Sequence, residues 1–349
     1  MNLIVEKNIS LAELTTLKIG GTARFFASAK SEDEIVEALN FARKNDLKIF
    51  ILGGGSNILI ADEGFDGLVL QIALKGVSVE RKTAKVFVTA NAGEDWDEFC
   101  KFCVGENLAG VECLSGIPGL VGGTPVQNVG AYGQEVSETI SSVRVFDRAE
   151  NQFLNLSNTE CGFTYRTSIF NSSQKNRFIV TAVTFAFESN GKPKIGYQDL
   201  RDFFDGKTPT LRETRDAVLK IRAAKSMVID ANDPNSKSAG SFFKNPVIPT
   251  GKFVEVEKRA ANLEIKSVPF FKIGEQNVKI PAAWLIENSG FRKGFHKENV
   301  GLSTKHTLAI VNLGNASAKD VLDLKNEIQA RVKKIFDIEL QPEPIFVGF

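Results

Sequence analysis

The sequence predicts an α+β protein built from two or three domains. Segments with helical periodicity alternate with short apolar segments typical of strands, without internal repeats or low-complexity tracts. The chain has 349 residues, of which 43% are hydrophobic, so it can form more than one core. Two glycine clusters in its first half mark backbone that does not belong to the interior of a helix or strand.

The elements of the first half follow from their patterns. A helix is predicted over 31–46, because Ser31 and Glu34 form a capping box and Ile35 and Leu39 share one face. The apolar segment 48–52 then predicts a strand that ends at the first glycine cluster. Further strands are predicted at 68–72, 86–90, 142–147 and 178–188. The last is apolar on both faces, which favours a position inside a sheet.

The second half contains longer helices. Residues 210–225 predict a helix with a basic end, followed by a polar loop, 230–240, typical of a domain boundary. A short helix is predicted from Pro281 to Ser289, with proline in its first turn. The remaining predicted elements are a strand at 308–313, a long amphipathic helix at 316–336 and short terminal strands.

The charge and hydropathy patterns exclude several classes of partner. The chain has 43 Lys and Arg against 42 Asp and Glu, which argues against binding nucleic acid or an anionic membrane through bulk charge. No apolar segment reaches the ~18–20 residues of a membrane span, and the N-terminal apolar stretch is too short for a signal peptide. The sequence therefore predicts a cytoplasmic location.

Cys100 and Cys103 form a CxxC pair, which is typical of either a metal or redox site or a pair of buried thiols. They share an apolar face with Phe99 in a predicted helix, and no second CxxC or histidine pair is present to complete a zinc site. The pattern favours buried thiols. With only His296 and His306 in the chain, no metal site is predicted.

The segment 114–133, LSGIPGLVGGTPVQNVGAYG, has six glycines in twenty residues. Glycine costs ~0.5–1 kcal/mol relative to alanine inside a regular element, so this density predicts a backbone that turns sharply and approaches a ligand. The loop 53–57, GGGSN, follows a predicted strand and offers N–H groups to an anion. An ordinary tight turn explains GGGSN equally well on its own. Two such loops together predict a long ligand such as a dinucleotide, although neither matches a P-loop or GxGxxG pattern.

Five segments in series resemble one known family. They are GGGSN at 53–57, GIPGLVGGTPVQNVGAYG at 116–133, FTYRTSIF at 163–170, AGSFFKNP at 239–246 and LQPEP at 340–344. In this order they are similar to the flavoprotein family of UDP-N-acetylenolpyruvoylglucosamine reductases, the MurB family, over nearly the whole chain. The segment KPKIGYQDL, which contains Tyr197, resembles the type I branch of that family.

The resemblance implies an FAD-binding module of the vanillyl-alcohol-oxidase (PCMH) type in two subdomains, plus a third α+β domain that binds substrate. The expected boundaries are 1–68 and 69–212 for the FAD-binding subdomains and 213–337 for the substrate-binding domain. The terminal strands near 338–349 are candidates to return to the first subdomain.

The resemblance also implies noncovalent FAD, with NADPH as reductant. The implied reaction, in peptidoglycan precursor synthesis, converts UDP-N-acetylglucosamine enolpyruvate to UDP-N-acetylmuramate by hydride transfer from FAD to C3 and protonation at C2. We expect the glycines, Gly54 and Gly122 among them, to keep the space of the cofactor clear. The implied cofactor-binding residues are Gly53, Gly54, Gly55, Ser56, Asn57, Ser115, Gly116, Ile117, Pro118, Gly119, Gly122, Gly123, Gly130, Ala131, Tyr132, Gly133 and Arg222.

Three residues are implied to be catalytic. Arg166 is expected to balance the negative charge that develops on the substrate carboxylate, since a guanidinium stays charged and can bind it through two hydrogen bonds. Ser241 is expected to donate the proton to C2, and Glu343 to help polarise the carboxylate. Taken singly, each has an ordinary structural explanation, such as turn chemistry for a serine that follows glycine.

The implied substrate-binding residues are Tyr197, Lys225, Asn245 and Asn288. Partners are expected to be small molecules only, with the chain a monomer. Two alternatives remain: an O2-using flavin oxidase of the same fold, and a nonenzymatic nucleotide-binding protein. The oxidases often attach flavin through His or Cys, which the glycine loops lack. A binding protein would not need Arg166, Ser241 and Glu343 together.

Overall fold

A computed structural model describes residues 3–83 and 85–349, which form two compact units. The first unit contains the described part of Met1–Ile9 together with Ala23–Gly55 and Asp66–Val228. The second contains Ser10–Thr22, Ser56–Phe65 and Ile229–Phe349. The boundary after Val228 lies just before the polar loop 230–240, while the three-domain division stays a prediction.

The described residues form helices and strands with the following bounds. The helices are α1 (Glu32–Lys44), α2 (Trp96–Gly105), α3 (Gln198–Phe204), α4 (Leu211–Ala224), α5 (Thr250–Ala261), α6 (Ala282–Glu287) and α7 (Ala318–Phe336). The strands are β1 (Val5–Ser10), β2 (Thr22–Ala29), β3 (Lys48–Leu52), β4 (Ile58–Ile60), β5 (Phe65–Ile72), β6 (Val77–Arg81), β7 (Val86–Asn91), β8 (Leu108–Ala109), β9 (Gly130–Ala131), β10 (Gln134–Glu135), β11 (Ile140–Asp147), β12 (Gln152–Ser157), β13 (Phe178–Ser189), β14 (Val247–Pro249), β15 (Phe271–Ile273), β16 (Asn277–Lys279), β17 (His296–Lys297), β18 (Val300–Leu302), β19 (Ile310–Asn312) and β20 (Ile345–Val347).

Two sheets organise the first unit. One has the strand order β1-β2-β5-β3, in which β3 and β5 are parallel. The other has the order β12-β11-β13-β7-β6, with β8 also paired to β13. The strand predicted at 178–188 is β13, and its position between β11 and β7 confirms the prediction that it lies inside a sheet.

Helix α1 connects these sheets through its first turn. Ser31 caps it by accepting a 3.2 Å hydrogen bond from the Glu34 N–H, as the sequence predicted. The Glu32 carboxylate accepts two hydrogen bonds from Arg144 of β11, at 2.7 and 2.9 Å, and one from Thr181 of β13. The bidentate pair fixes the start of α1 on the second sheet.

Cys100 and Cys103 are buried, as the sequence predicted, and so are Cys113 and Cys161. Phe99, Cys100 and Cys103 all lie on the buried face of α2, and all four cysteines of the chain are free thiols. Burial raises the pKa of the Cys161 thiol to about 12 and raises the pKa of the Cys100 thiol well above its usual range. The reactive thiolate is therefore disfavoured at these positions.

The second unit combines three small sheets with helices α5 to α7. The sheets have the orders β14-β16-β15, β17-β18-β19 and β20-β4. Helix α7 buries a stripe that includes Leu324, Ile328 and Val332, and Ser317 caps its start. Strand β20 pairs in parallel with β4, so the end of the chain returns to residues 58–60.

The structure corrects several predicted bounds. The predicted helix 281–289 is shorter, because Pro281 is its N-cap with an extended ψ of 118° and does not belong to the first turn. The predicted strand 308–313 is only β19, and α7 begins at Ala318 because the capping box of Ser317 starts the helix there. Among the described residues, none of the helices has both the length and the apolar character needed to cross a membrane.

The core of the first unit predicts a large cost for replacing Phe185. Its ring is fully buried in β13 and packs 4.7 Å from the Phe99 ring between centroids. We expect Phe185→Ala to destabilise this unit by ~3–5 kcal/mol, and Phe203→Ala, at a 46% exposed side chain, to have little effect. In a Trp284→Phe background, Trp96 fluorescence during urea unfolding would report the first unit alone. Equal urea midpoints for the two variants would show that β13 is not part of the stabilising core.

Candidate active site

The two glycine clusters approach each other within the first unit. An ideal Cβ built on Gly54 would lie only 2.8 Å from the Gly119 Cα. This spacing is closer than any real Cβ contact, so only glycine permits it at position 54. The tip of the loop after β3 therefore lies directly against the second glycine segment.

The second glycine segment is fixed to the residues that lead into α2. The Trp96 N–H donates to the Gly119 carbonyl at 3.1 Å, and the Gly122 N–H donates to the Ala92 carbonyl at 2.9 Å. An ideal Cβ on Gly122 would lie 2.5 Å from the Ala92 Cβ. Gly122 is thus required by the close approach of two protein segments.

These contacts give Gly54 and Gly122 a reason to be glycine within the protein itself, while their expected role in keeping the space of the cofactor clear stays a prediction. At both positions the added Cβ would meet the protein itself. At Gly53 and Gly123, by contrast, nothing lies within 4 Å of an ideal Cβ. The open surface of the two loops therefore lies at Gly53 and Gly123, and a ligand that uses these loops would approach the backbone there.

Two orphaned polar atoms lie within the first unit, at the start of the second glycine segment. The Ser115 hydroxyl and the Arg222 Nε are buried without a hydrogen-bond partner. Both lie next to Gly116, whose ideal Cβ would be 3.5 Å from the Arg222 Nε. Buried polar groups without partners cost ~1–3 kcal/mol each, so their presence here is consistent with a polar ligand that completes them.

The backbone at Gly116 is held in place by Asp97 and Arg215. The sequence patterns did not identify these two residues. Asp97 accepts a 2.5 Å hydrogen bond from the Gly116 N–H and two from Arg215, at 2.6 and 2.7 Å. Burial opposes ionisation of Asp97, but these hydrogen bonds outweigh burial and hold its pKa below the usual value. The stabilisation is present above the unfolded pKa of about 3.9 and is lost only as the pH falls through the lower folded pKa.

Glu112 is a second residue that the sequence did not reveal. Its fully buried carboxylate accepts hydrogen bonds from the Gln134 side chain at 2.7 Å, the Gly110 N–H at 2.7 Å and the Lys194 N–H at 3.1 Å. It therefore connects the second glycine segment to the loop that leads to Tyr197. No local pattern marks Glu112, because its partners come from three separate segments.

Tyr197 and Lys225, two of the predicted substrate-binding residues, lie in one cluster. The Tyr197 ring packs edge-on against Tyr132, with centroids 5.5 Å apart. The Lys225 ammonium pairs with the Asp199 carboxylate at 2.5 Å. The side chains of Tyr197 and Lys225 are 40% and 41% exposed, so both reach solvent and both are accessible to a ligand.

Arg222 extends this cluster into the interior. It donates to the Met227 carbonyl at 2.6 Å and contacts the Tyr132 hydroxyl. Burial lowers the pKa of the Arg222 guanidinium and raises the pKa of the Tyr132 phenol. A guanidinium remains charged even so, and Arg222 is a buried cation beside the second glycine segment.

Arg166 lies against the same segment from a turn. Its backbone has a φ of +53°, a left-handed conformation that costs ~1–3 kcal/mol for a non-glycine residue and is often found at functional sites. Its side chain donates to the Gly130 carbonyl at 2.5 Å and to the Asn128 carbonyl at 3.4 Å. An ideal Cβ on Gly130 would lie 2.8 Å from the Arg166 Nη1. Position 130 therefore requires glycine because a side chain there would collide with Arg166. This requirement is separate from the predicted role of Gly130 in cofactor binding.

The second unit brings Ser241 and Glu343 onto adjacent segments. The Glu343 N–H donates to the Phe242 carbonyl at 2.9 Å, and Phe243 forms an isolated bridge with Pro342. Gly240, with a φ of +69°, makes the turn immediately before Ser241. The two residues lie 102 positions apart in the sequence, 241 and 343, and contacts between their segments bring them onto neighbouring stretches of backbone.

Residues of the first glycine loop support the Glu343 segment. The Asn57 side-chain amide donates to the Glu343 carbonyl at 3.3 Å, and the Asn57 carbonyl accepts from the Ile345 N–H at 3.0 Å. The Ser56 carbonyl accepts a long hydrogen bond from Thr16, which also donates to the Ser238 carbonyl at 2.7 Å. Thr16, which the sequence analysis missed, therefore links Ser56 to the segment that leads to Ser241.

Asn245 and Asn288 do not come together. The Asn245 side chain accepts from the Ala282 N–H at 2.8 Å and so completes the start of α6. Asn288 caps the other end of α6 and donates to the Trp284 carbonyl at 2.8 Å. A six-residue helix separates them by roughly 9 Å along its axis. Both side chains have a structural role in α6.

The comparisons with known proteins first define the class. A sequence model described as FAD binding domain matches residues 23–157, which include the GGGSN loop and the second glycine segment. The C-terminal domain model of UDP-N-acetylenolpyruvoylglucosamine reductase matches residues 233–347, which include Ser241 and Glu343. The protein is therefore a flavoprotein of the oxidoreductase class, with an α+β FAD-binding module of the vanillyl-alcohol-oxidase type.

Full-length relatives then define the family. The chain is 44% identical over 349 residues to the UDP-N-acetylenolpyruvoylglucosamine reductase of Thermobifida fusca (strain YX), covering 98% of both chains. It is 42% identical to that of Salinispora arenicola (strain CNS-205), covering 97% of this chain and 94% of the relative. The crystal structure of UDP-N-acetylenolpyruvylglucosamine reductase (MurB) from Thermus caldophilus superposes with a TM-score of 0.67 at 25% identity, over 99% of this chain and 100% of that one. The chain belongs to the UDP-N-acetylenolpyruvoylglucosamine reductase family.

Adjacent glycines in the second segment provide a matched pair of variants. Gly122→Leu should destabilise even the flavin-free protein, by ~1–3 kcal/mol or more, because its Cβ would meet Ala92. Gly123→Leu should leave the flavin-free protein intact and reduce FAD binding, since its side chain would enter the open space. Thermal unfolding of both flavin-free variants and the ratio of bound flavin to protein would measure the two effects. Full flavin content in Gly123→Leu would place the cofactor away from this surface.

Proposed function

We propose that the protein catalyses the NADPH-dependent reduction of UDP-N-acetylglucosamine enolpyruvate to UDP-N-acetylmuramate. The proposal rests on family membership over 98% of the chain and on one structural observation: Ser241, a proton donor by type, lies on a segment whose backbone is hydrogen-bonded to the backbone of Glu343 through Phe242. The reaction saturates a carbon–carbon double bond, which requires a hydride and a proton.

FAD is the cofactor that the first unit would hold. The open backbone at Gly53 and Gly123 and the orphaned Ser115 hydroxyl and Arg222 Nε fit a long, polar, phosphate-bearing group. The remaining predicted contacts, from Gly55 to Asn57 and from Gly116 to Gly133, belong to this proposal as well. FAD supplies hydride chemistry when bound, and NADPH is the proposed source of its electrons.

Three residues would carry the chemistry at the substrate. Reduction at C3 of the enolpyruvyl group leaves negative charge on C2 and its carboxylate. Arg166 would bind this carboxylate through its guanidinium, and Ser241 would donate the proton from its hydroxyl to C2. Glu343, half-buried, would have to carry a proton to donate a hydrogen bond to this carboxylate, and in that form it would not oppose the developing negative charge.

Tyr197 and Lys225 are the proposed contacts for the uridine diphosphate. A near-neutral protein must bind two phosphates through local donors, and this pair reaches solvent on one surface of the first unit. Asp199 holds the Lys225 ammonium in place and also weakens its field, so a phosphate would have to share Lys225 with this carboxylate. Asn245 and Asn288 remain proposed contacts, though their amides already bond to α6.

The proposal places the enzyme in the cytoplasmic part of peptidoglycan precursor synthesis, and hence in cell-wall biogenesis, cell shape and cell division. We propose a monomer whose partners are NADPH and the UDP-sugar. Anaerobic mixing tests the whole assignment: NADPH should bleach the yellow protein, and the enolpyruvyl substrate should restore its colour. Colour restored only by O2 would identify a flavin oxidase, and a colourless protein would identify a nonenzymatic nucleotide-binding protein.

The reaction has two halves, reduction of the flavin by NADPH and its reoxidation by the enolpyruvyl substrate. The proposed role of Ser241 concerns only the second. Ser241→Ala should keep FAD binding and reduction by NADPH, while reoxidation by the enolpyruvyl substrate should slow by ~10²–10⁴-fold. Ser241→Cys should recover part of the rate, because a thiol can donate a proton from the same place. Stopped-flow absorbance of the flavin would follow both steps. If Ser241→Ala is reoxidised as fast as the parent enzyme, the proton comes from another group.

The proposed role of Lys225 concerns affinity. Lys225→Ala should raise KM for the UDP-sugar by about 10-fold to 150-fold, the equivalent of losing one charged contact of ~1.5–3 kcal/mol, and leave reduction by NADPH unchanged. The matched control is Lys220→Ala, at an exposed residue of α4, the helix whose C-cap is Lys225. Steady-state kinetics at varied UDP-sugar would measure KM. Equal changes in the two variants would show a general effect of charge.

A further inference from the structure

A cleft of about 630 Å³ lies in the first unit, at the C-terminal end of α1. This volume lies within the range of ~300–1,000 Å³ that is typical of small-molecule sites. The lining comes from the end of α1, the start of β3 and the turns after β11 and before β13. The lining residues are Leu39, Arg43, Leu47, Ile49, Phe146, Arg148, Ala149, Lys175, Asn176 and Arg177.

The cleft carries an excess of positive charge. Four of its lining residues are Lys or Arg, and Arg177 pairs with the buried carboxylate of Asp147 at 2.7 Å. Within residues 3–83 and 85–349, Arg43, Arg148 and Lys175 have no carboxylate partner within ion-pair distance. Three cations therefore line one concave space, and none of them forms an ion pair with a carboxylate of the described residues.

Arg148 is the most enclosed of these three cations. Its guanidinium donates to the Asn176 carbonyl at 2.8 Å, which orients it along the wall of the cleft. Burial lowers the pKa of Arg148, yet an arginine side chain stays protonated in proteins. A half-buried cation is stabilised when an anion binds beside it.

Opposing charges do not cancel the excess. The dipole of α1 contributes at most about half a negative charge at the C-terminal end of the helix, and Arg43 lies in that last turn. Glu150 is exposed and acts on Arg177. Counting Arg177 and Asp147 as a neutral pair, three full positive charges face roughly one and a half negative ones, so the cleft favours an anion.

The floor of the cleft is apolar. Leu47 and Ile49 are half-buried lining residues, and the Phe146 side chain, which also lines the cleft, is buried. A purely ionic ligand would leave this floor in contact with water. Cations above an apolar floor fit a ligand with an anionic end and a flat or apolar body.

The cleft lies away from the proposed cofactor surface. Ile49 is near the start of β3 and Gly53 follows its end, so three residues lie between them and roughly 13 Å of extended strand separates them. None of the residues proposed to bind FAD or the UDP-sugar lines the cleft. A ligand bound here would be additional to the substrates of the proposed reaction.

We propose that this cleft is a second binding site, for an organic phosphate of nucleotide size. The phosphate would bind to Arg43, Arg148 and Lys175, and the apolar body would lie on Leu47 and Ile49. A phosphate fits better than a single carboxylate, because its two negative charges match several cations that converge from separate segments. The concave shape favours a small molecule over a protein surface.

ADP is a suitable probe for the FAD-loaded protein, with titration calorimetry as the measurement. We expect Arg43→Glu to weaken ADP binding at least tenfold. Lys44→Glu, with the same change of charge one residue further along α1 but outside the cleft, should weaken it less than threefold. If both variants weakened ADP binding equally, the loss of affinity would come from the overall charge of the protein and not from the cleft. This result would overturn the proposal.

A charge-neutral variant tests the location. Ala149→Trp should block ADP binding, because Ala149 is an exposed lining residue and the indole would fill the space. Flavin content and the unfolding transition should match the parent, which shows that the variant is folded. Parent-like ADP affinity in Ala149→Trp would place the nucleotide elsewhere, and so would failure of the parent to bind millimolar ADP.

Two partial ligands test the chemistry of the site. Pyrophosphate carries only the charge and adenosine only the flat body, so each should bind at least tenfold more weakly than ADP. Pyrophosphate that binds as tightly as ADP would rule out a role for the apolar floor. Adenosine that binds as tightly would rule out a role for the three cations.

Discussion

The candidate site of the first unit depends on the close approach of backbone segments at Gly54, Gly119 and Gly122. At Gly54 and Gly122 a single Cβ would meet neighbouring atoms at 2.8 and 2.5 Å, so even alanine would separate the segments. This packing frees the backbone at Gly53 and Gly123 to face open space. One set of glycines therefore builds the surface, and another leaves it accessible.

Two carboxylates, the half-buried Asp97 and the fully buried Glu112, hold the segments that glycine alone would leave flexible. Asp97 binds the Gly116 N–H and Arg215, and Glu112 binds Gly110, Gln134 and Lys194. A buried carboxylate is costly unless its oxygens are hydrogen-bonded, and both residues meet this requirement with backbone N–H groups and side chains. Rigid support of this kind lets Arg222 remain buried with its Nε unpaired, at a position suited to a polar ligand.

Much of the fold was accessible from local patterns. The capping box at Ser31, the apolar stripe of α7 and the two apolar faces of β13 all depend on residues a few positions apart, and the structure confirms each of them. Element ends were less accurate. Pro281 has a helical φ but an extended ψ, and only its contacts in the folded chain exclude it from α6.

The sequence by itself determined the family, the two glycine loops and the residue types available for chemistry. It also located Ser241 and Glu343 in separate motifs, but not the backbone hydrogen bond between Phe242 and Glu343 that makes their segments neighbours. Only the tertiary structure decided which glycines pack and which stay open, and which carboxylates support the loops. It also decided that Arg43, Arg148 and Lys175 line one cleft. The physical reason is that these features arise from contacts between residues far apart in the chain, whereas a sequence pattern reports only spacing along it.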